Sequence, residues 1–537
     1  MHRLCRARSV LLEVFNNHFM NIAEQMGLQL QNTAYSVNIK ERLDFSCALF
    51  DATGNLIANA PHMPVHLGSM GESIKTVVRE NADTMQPGDV YVLNDPYHGG
   101  THLPDITVIT PVYLEGKPTF YVGSRGHHAD VGGTTPGSMP PFSTRIEEEG
   151  VQINNFKLVD RGVLREAEMV ALLSSGEYPS RNTQQNMADL NAQIAANEKG
   201  VQELRKMVDH FGLDVVQAYM RHVQDNAEES VRRVITRLKD GAFTLKLDNG
   251  AQIQVAIRVN AKERSAVIDF TGTSEQQLNN FNAPTAVCMA AVLYVFRTLV
   301  DDDIPLNAGC LKPLQVIIPP GSMLNPNPPA SVVAGNVETS SCITNALYGA
   351  LGVMAASQCT MNNFTFGNAQ YQYYETISGG SGAGVLRNAA GDVVGGFHGT
   401  SVVQTHMTNS RLTDPEIFEF RFPVRLESYA IREGSGGAGK WHGGNGGVRR
   451  VRFLEAMTAS ILSNGRIHGA FGMAGGESGQ VGINRVVRVD GSVEDLGHIG
   501  QAEMLPGDVF EIHTPGGGGY GAPEAVEHPL TGVVRAA

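Results

Sequence analysis

Residues 94–133 place the tightest limits on how this chain can fold. Residues 106–114 form an apolar run rich in β-branched side chains, Glu115-Gly116-Lys117-Pro118 reads as a turn, and residues 119–123 read as a return strand. Pairing the two arms antiparallel about Gly116 sets position 105 opposite position 127. Around this hairpin fall His98, His102, His127 and His128, four of the seventeen histidines, with Asp105 and Asp130 beside them. Pro104 biases Leu103 away from the helical region, so His102 and Asp105 belong to a turn and not to a helix face. The hairpin therefore brings Asp105 beside the His127-His128 pair. Two imidazoles and a carboxylate converging at one hairpin end suit a divalent metal ion. The competing reading is an ordinary polar loop, since such clusters also arise by chance. The strand expected at 90–93 leads straight into the segment, so its residues hang from strand ends, where a site is held rigidly.

A chain of 537 residues has room for several cores, and 42% hydrophobic with 18% charged residues is ordinary for a globular protein. The formal charge of -13 argues against nucleic acid or an anionic membrane as a partner. No uninterrupted apolar run of about 18 residues predicts a transmembrane helix. Arg3, Arg6 and Arg8 precede an apolar run that breaks at Glu13, too soon for a signal-peptide core. The six cysteines show no CxxC spacing, which favours free thiols and a cytoplasmic location.

Along the chain, apolar spacing predicts helix over 9–34, a hairpin with arms 45–50 and 56–60, an extended loop over 61–66, and a helix over 69–81. Helices follow at 164–174, 186–211 and 213–238, then a three-strand meander at 241–249, 251–259 and 266–272. Residues 284–300 and 340–356 read as buried helices. From 363 onward the sequence is glycine-rich and of β type. The expectation is a multidomain α/β (mixed α+β) protein divided at 1–239, 240–362 and 363–537, with the metal-type residues in the first part. Glu147-Glu148-Glu149 reads as a solvated acidic face. The glycine runs at 378–384, 434–447 and 515–521 read as turns and close backbone packing; Gly439-Lys440 is followed by Trp441, which rules out a phosphate P-loop.

Several long motifs carry a resemblance. Asn38-Ile-Lys-Glu-Arg-Leu-Asp-Phe-Ser-Cys-Ala-Leu-Phe50, Asn59-Ala-Pro-His-Met-Pro-Val-His-Leu-Gly68, His102-Leu-Pro-Asp-Ile-Thr-Val-Ile-Thr-Pro111, Ser124-Arg-Gly-His-His-Ala-Asp-Val-Gly-Gly133, His406-Met-Thr-Asn-Ser-Arg-Leu-Thr-Asp-Pro415 and Thr514-Pro-Gly-Gly-Gly-Gly-Tyr-Gly521 resemble the hydantoinase B / 5-oxoprolinase family. Within it, the chain is most similar to the B half of ATP-dependent 5-oxoprolinase, which opens the lactam 5-oxo-L-proline to L-glutamate. The resemblance implies a hetero-oligomer in which an A-type partner holds ATP-Mg and phosphorylates the substrate. The B part would then carry a divalent metal (Mn, Zn or Fe) whose bound water attacks. Family metal ligands fall on Asp44, His102, Asp105 and His127, which settles the His127-His128 ambiguity in favour of His127. Glu41 resembles a family acidic residue placed to move protons, and His128 is a second proton carrier.

Other readings compete. The same metal site would serve a hydantoinase, another lactamase or a carboxylase subunit. Two histidines and one carboxylate also describe a non-haem iron oxygenase. A binding subunit with no chemistry of its own is the fourth reading.

Overall fold

The structure is a computed structural model. It describes residues 2–388 and 391–523, with side chains described from residue 10 onward. Helix α1 (His2–Thr33) buries Phe15, Phe19, Ile22, Met26 and Leu30, the stripe that three- and four-residue spacing predicts. The short α2 (Val37–Lys40) is capped by Ser36, whose hydroxyl accepts the Ile39 N–H. β1 (Phe45–Phe50) and β2 (Leu56–Asn59) form the expected hairpin; Asp51 ties its turn by accepting from the backbone of Thr53 and Asn55.

Helix α3 (Pro64–Asn81) starts five residues earlier than apolar spacing indicates. Proline is well suited to the first helical turn, where its missing N–H costs nothing. The supposed loop thus becomes helix and carries His66 with it. β3 (Val90–Leu93), β4 (Asp105–Leu114), β5 (Lys117–His127), β6 (Phe156–Asp160) and β7 (Val163–Leu164) complete an antiparallel sheet of order β2-β1-β5-β4-β3-β6-β7. The return arm β5 runs four residues past the expected Gly123. Asp105 pairs with His127, as expected, and a bulge at Val112/Tyr113 absorbs the turn's odd residue.

Helices α4 (Glu166–Leu173), α5 (Thr183–Phe211) and α6 (Leu213–Ile235) follow, close to their expected bounds. One sheet face packs on α3, through Leu67, Met70, Ile74 and Val77 against Tyr91, Ile109 and Tyr121. The other packs on α1 and α5, through Phe19, Met26 and Ala196 against Phe45, Val112 and Val122.

The meander forms as β8 (Gly241–Lys246), β9 (Gln252–Asn260) and β10 (Ser265–Asp269), and a strand not read from the sequence, β11 (Leu314–Ile317), adds to it in parallel with β10. Helix α7 (Thr285–Thr298) packs on α3, and α8 (Ser340–Leu351) covers β8 and β9. A π-helical turn, Gly335–Thr339, precedes α8. β12 (Asn363–Gly367) and β13 (Gln372–Thr376) open the C-terminal β region, where one four-stranded and one five-stranded sheet share a core.

The three glycine runs meet backbone on backbone. Gly517 donates to the Gly444 carbonyl and Gly444 to that of Ser381, both at 2.9 Å. A Cβ on Gly517 would stand 2.0 Å from the Ser381 oxygen, so this stack requires glycine. The reading as close backbone packing holds. Cys47, Cys288, Cys310, Cys342 and Cys359 are buried free thiols; the Cys5 side chain lies outside the described residues. No helix among the described residues is long and apolar enough to cross a membrane.

Candidate metal centre

Opposed residues of an antiparallel pair share a sheet face. Asp105 and His127 are such a pair, at the end where β4 begins and β5 ends. His102, in the turn ahead of β4, folds back onto them. Its Nε2 lies 3.2 Å from Asp105 Oδ2, and its ring centroid lies 5.2 Å from that of His127. One nitrogen or oxygen from each of His102, Asp105 and His127 fits within 4.8 Å of the others, and all three residues are at most 2% exposed.

Both Nδ1 atoms meet a backbone carbonyl. His102 Nδ1 lies 3.2 Å from the Val333 carbonyl, and His127 Nδ1 lies 3.1 Å from that of His128. The Val333 carbonyl only accepts, so His102 Nδ1 carries the proton and its Nε2 presents a lone pair; His127 Nδ1 also lies 3.2 Å from Asn38 Nδ2, and where it donates to the His128 carbonyl its Nε2 lone pair is left free. Burial keeps His127 neutral by holding its imidazole well below the usual value. For Asp105, burial pushes the carboxyl up, but flanking His66 and His102 outweigh it and hold the group well below the usual carboxylate range. His102 Nε2, His127 Nε2 and Asp105 Oδ1 are buried without a hydrogen-bond partner. Such atoms are costly unless something pairs with them. Two imidazole lone pairs and an anionic oxygen form a donor set that fits a divalent ion.

The other expected residues are placed differently. Asp44 is buried, 3.9 Å from His66 Nε2 and 3.8 Å from Arg42, so it stands one imidazole away from the group of three. Burial raises its carboxyl, against Arg42 and His66. It is no surface partner of Arg42, whose guanidinium is buried and donates to Arg411 O, Tyr374 O, Thr376 Oγ1 and Ser410 Oγ. His128 faces α5: its Nε2 donates to Gln193 Oε1 at 3.0 Å and its Nδ1 accepts from Asn186 Nδ2 at 3.1 Å. Glu41 caps α2 and is half-buried; no hydrogen bond or ion pair joins its carboxylate to the group. His98 pairs with Asp95, and Asp130 with Arg181.

Sequence reasoning missed several close neighbours. His66 Nε2 lies 3.1 Å from Asp105 Oδ2; a helix started at Pro64 would have placed it in the first turn. Tyr374 of β13 stacks on the His127 ring at 4.3 Å, and its hydroxyl donates to Asn363 Oδ1. The π turn supplies Asn336, whose Nδ2 donates to Asp105 Oδ2 at 3.0 Å, and Glu338, a fully buried carboxyl that burial pushes up to about 7. π turns recur at functional sites, but no sequence pattern announced this one. Glu149, read as part of a solvated acidic run, is in fact fully buried.

The fold is shared with the ATP-dependent caprolactamase from Pseudomonas jessenii, at a TM-score of 0.83 and 24% identity over 96% of this chain and 91% of that one. The sequence goes further: this chain belongs to the Hydantoinase B/oxoprolinase family, matched over residues 8–523. It is 47% identical to 5-oxoprolinase 1 of Arabidopsis thaliana over 96% of its own length and 42% of that protein. It is 36% identical to an uncharacterized protein of Methanocaldococcus jannaschii, covering 96% of this chain and 91% of the other. The chain thus spans about two fifths of the plant relative and nearly all of the archaeal one.

Proposed function

We propose that this chain is the B-type part of an ATP-dependent cyclic-amide hydrolase that opens 5-oxo-L-proline to L-glutamate. The observation that supports this most is a buried group of unpartnered donor atoms, on His102, Asp105 and His127, in a chain 47% identical to a 5-oxoprolinase. These three residues, with Asp44 nearby, would hold a divalent ion, Mn, Zn or Fe. Such an ion supplies a Lewis acid and brings the pKa of water towards ~7. ATP-Mg and the phosphorylation of the lactam oxygen fall to an A-type partner, separate or fused.

The chain's own residues have defined tasks in this reading. His102 presents a fixed lone pair because the Val333 carbonyl holds its Nδ1 proton, and His127, with Nδ1 between the His128 carbonyl and Asn38, turns its Nε2 to the group. Asp105 provides the negative charge, and Asn336 steadies its Oδ2. Burial excludes bulk water, which protects an activated substrate from side reactions. Glu41 remains the freer of the two expected proton carriers, since both nitrogens of His128 are engaged by α5.

Metal content by elemental mass spectrometry, together with glutamate formation in the presence of the A-type part, tests the proposal. Wild type should hold near-stoichiometric ion, and His102→Ala should lose both ion and activity. Full activity in His102→Ala would overturn the metal assignment. Turnover of hydantoin or caprolactam in place of 5-oxoproline would move the chain to another substrate within the family.

A further inference from the structure

Glu149 is a fully buried carboxylate that the proposed chemistry does not use. Its Oε1 accepts from the Ser143 hydroxyl at 2.9 Å and from the backbone N–H groups of Val332 and Val333 at 3.0 Å each; its Oε2 accepts from Val332 at 3.2 Å. Every one of these donors lies on a loop, and the carboxylate holds both N–H groups of residues 332–333 directly. The next link is the Val333 carbonyl, which takes the Nδ1 proton of His102. Three residues further on, Asn336 donates to Asp105. The segment pinned by Glu149 therefore touches two of the three members of the group. Further ties flank it: the Ser331 hydroxyl donates to the Ser143 carbonyl at 3.0 Å, Asn282 Nδ2 donates to the Ser331 carbonyl at 3.1 Å, and the Ala334 N–H donates to the Asn280 carbonyl at 3.0 Å.

We propose that Glu149 is a positioning residue of the metal centre, fixing the tautomer and aim of His102 through the Val332–Val333 backbone. The proposal rests on the metal reading above. A charged acceptor grips N–H donors about twice as strongly as a neutral one. Supporting groups of this kind around a ligating histidine are worth roughly 10–100-fold in metal affinity. Glutamine keeps the size of Glu149 but loses the charge and sets an NH2 against the Val332 N–H, donor facing donor.

The test uses the full chain at pH 8, above the value of about 7 to which burial raises this carboxyl, wild type beside Glu149→Gln and Glu149→Ala, titrated with Zn2+ and, separately, Mn2+ against a competing chelator. Circular dichroism checks the fold of each metal-free variant. The expected result is a Kd raised about tenfold in Glu149→Gln, more in Glu149→Ala, with coupled activity recovering as free metal is raised. Recovery at high metal separates positioning from a direct chemical role. If Glu149→Ala does not fold, Glu149→Gln alone decides. A folded Glu149→Gln chain that holds both ions within twofold of wild type overturns the proposal while leaving the metal reading intact. A wild-type chain that binds neither ion overturns both.

Discussion

His66 Nε2 lies 3.1 Å from Asp105 Oδ2 and 3.9 Å from Asp44 Oδ1, so one imidazole on the first turn of α3 stands between two buried carboxylates. Without a metal ion, this ring is the nearest partner that both acids share. Its removal should therefore hurt the metal-free chain more than the loaded one. His66→Ala is expected to cost about 1.5–3 kcal/mol in chemical denaturation of the metal-free chain, the range for a hydrogen bond to a charged group. With saturating divalent ion the loss should shrink. An equal loss in both forms would mean that His66 contributes packing alone.

Tyr374 offers a separation of ring from hydroxyl. The ring stacks on His127 at 4.3 Å, while the hydroxyl reaches away to Asn363. Tyr374→Phe should lower stability by about 1 kcal/mol, the worth of one buried hydrogen bond, and leave metal affinity unchanged. Tyr374→Ala should weaken metal binding as well, because His127 loses the surface that orients it. Isothermal titration of both variants checks this, and equal metal affinity in the two would show that the stack plays no part.

How much of this was legible in the sequence varied with the range of the interaction. The β4–β5 register followed from a turn and two β-branched arms, which are local signals, and it placed Asp105 opposite His127 correctly. Alternation along β5 then turns His128 to α5, a consequence of period two that one extra step of the same reasoning would have reached. His66 was hidden by a proline read as a loop former. Asn336, Tyr374 and Glu149 were out of reach, because they arrive from residues more than 20 positions away or through backbone links, and only the packed chain brings them together. Glu149 shows the limit most clearly: three consecutive glutamates look solvated, yet the third is withdrawn to cap the 332–333 backbone.

Glu338 should leave a mark on the pH dependence of stability. Burial raises its carboxyl to about 7 in the folded chain, against about 4.3 when unfolded. Below the lower value both states are protonated and there is no penalty. As pH rises towards 7 the unfolded chain releases this proton and the folded chain keeps it, so stability falls across that window and levels off above it. Glu338→Gln removes the titration. Relative to wild type it should gain up to roughly 3 kcal/mol between pH 4.5 and 8, at about 1.4 kcal/mol per pH unit. Glu149, which burial also raises to about 7, is present in both chains and cancels in the difference. Parallel stability curves for the two chains would contradict this account.

Asp105 is the single anionic member of the group, and asparagine in its place preserves shape while removing charge. The ladder pairing with His127 uses backbone atoms and should survive, so any change in metal response reports on the side chain. A ligand that binds only the folded chain stabilises it by about 2.7 kcal/mol at one hundred times its Kd. Wild type titrated to that point should gain about this much, and excess chelator should reverse it. If Asp105→Asn weakens binding by about a hundredfold, the same ion concentration equals the new Kd and the gain drops to roughly 0.4 kcal/mol. In differential scanning calorimetry the metal-induced rise in melting temperature should then nearly vanish, and the metal-free transition should itself fall below that of wild type, since the contacts with His66 and His102 outweigh the cost of burying the Asp105 charge. A variant that kept the full metal-induced rise would place the ion elsewhere, and the buried donor atoms of His102 and His127 would then need another partner.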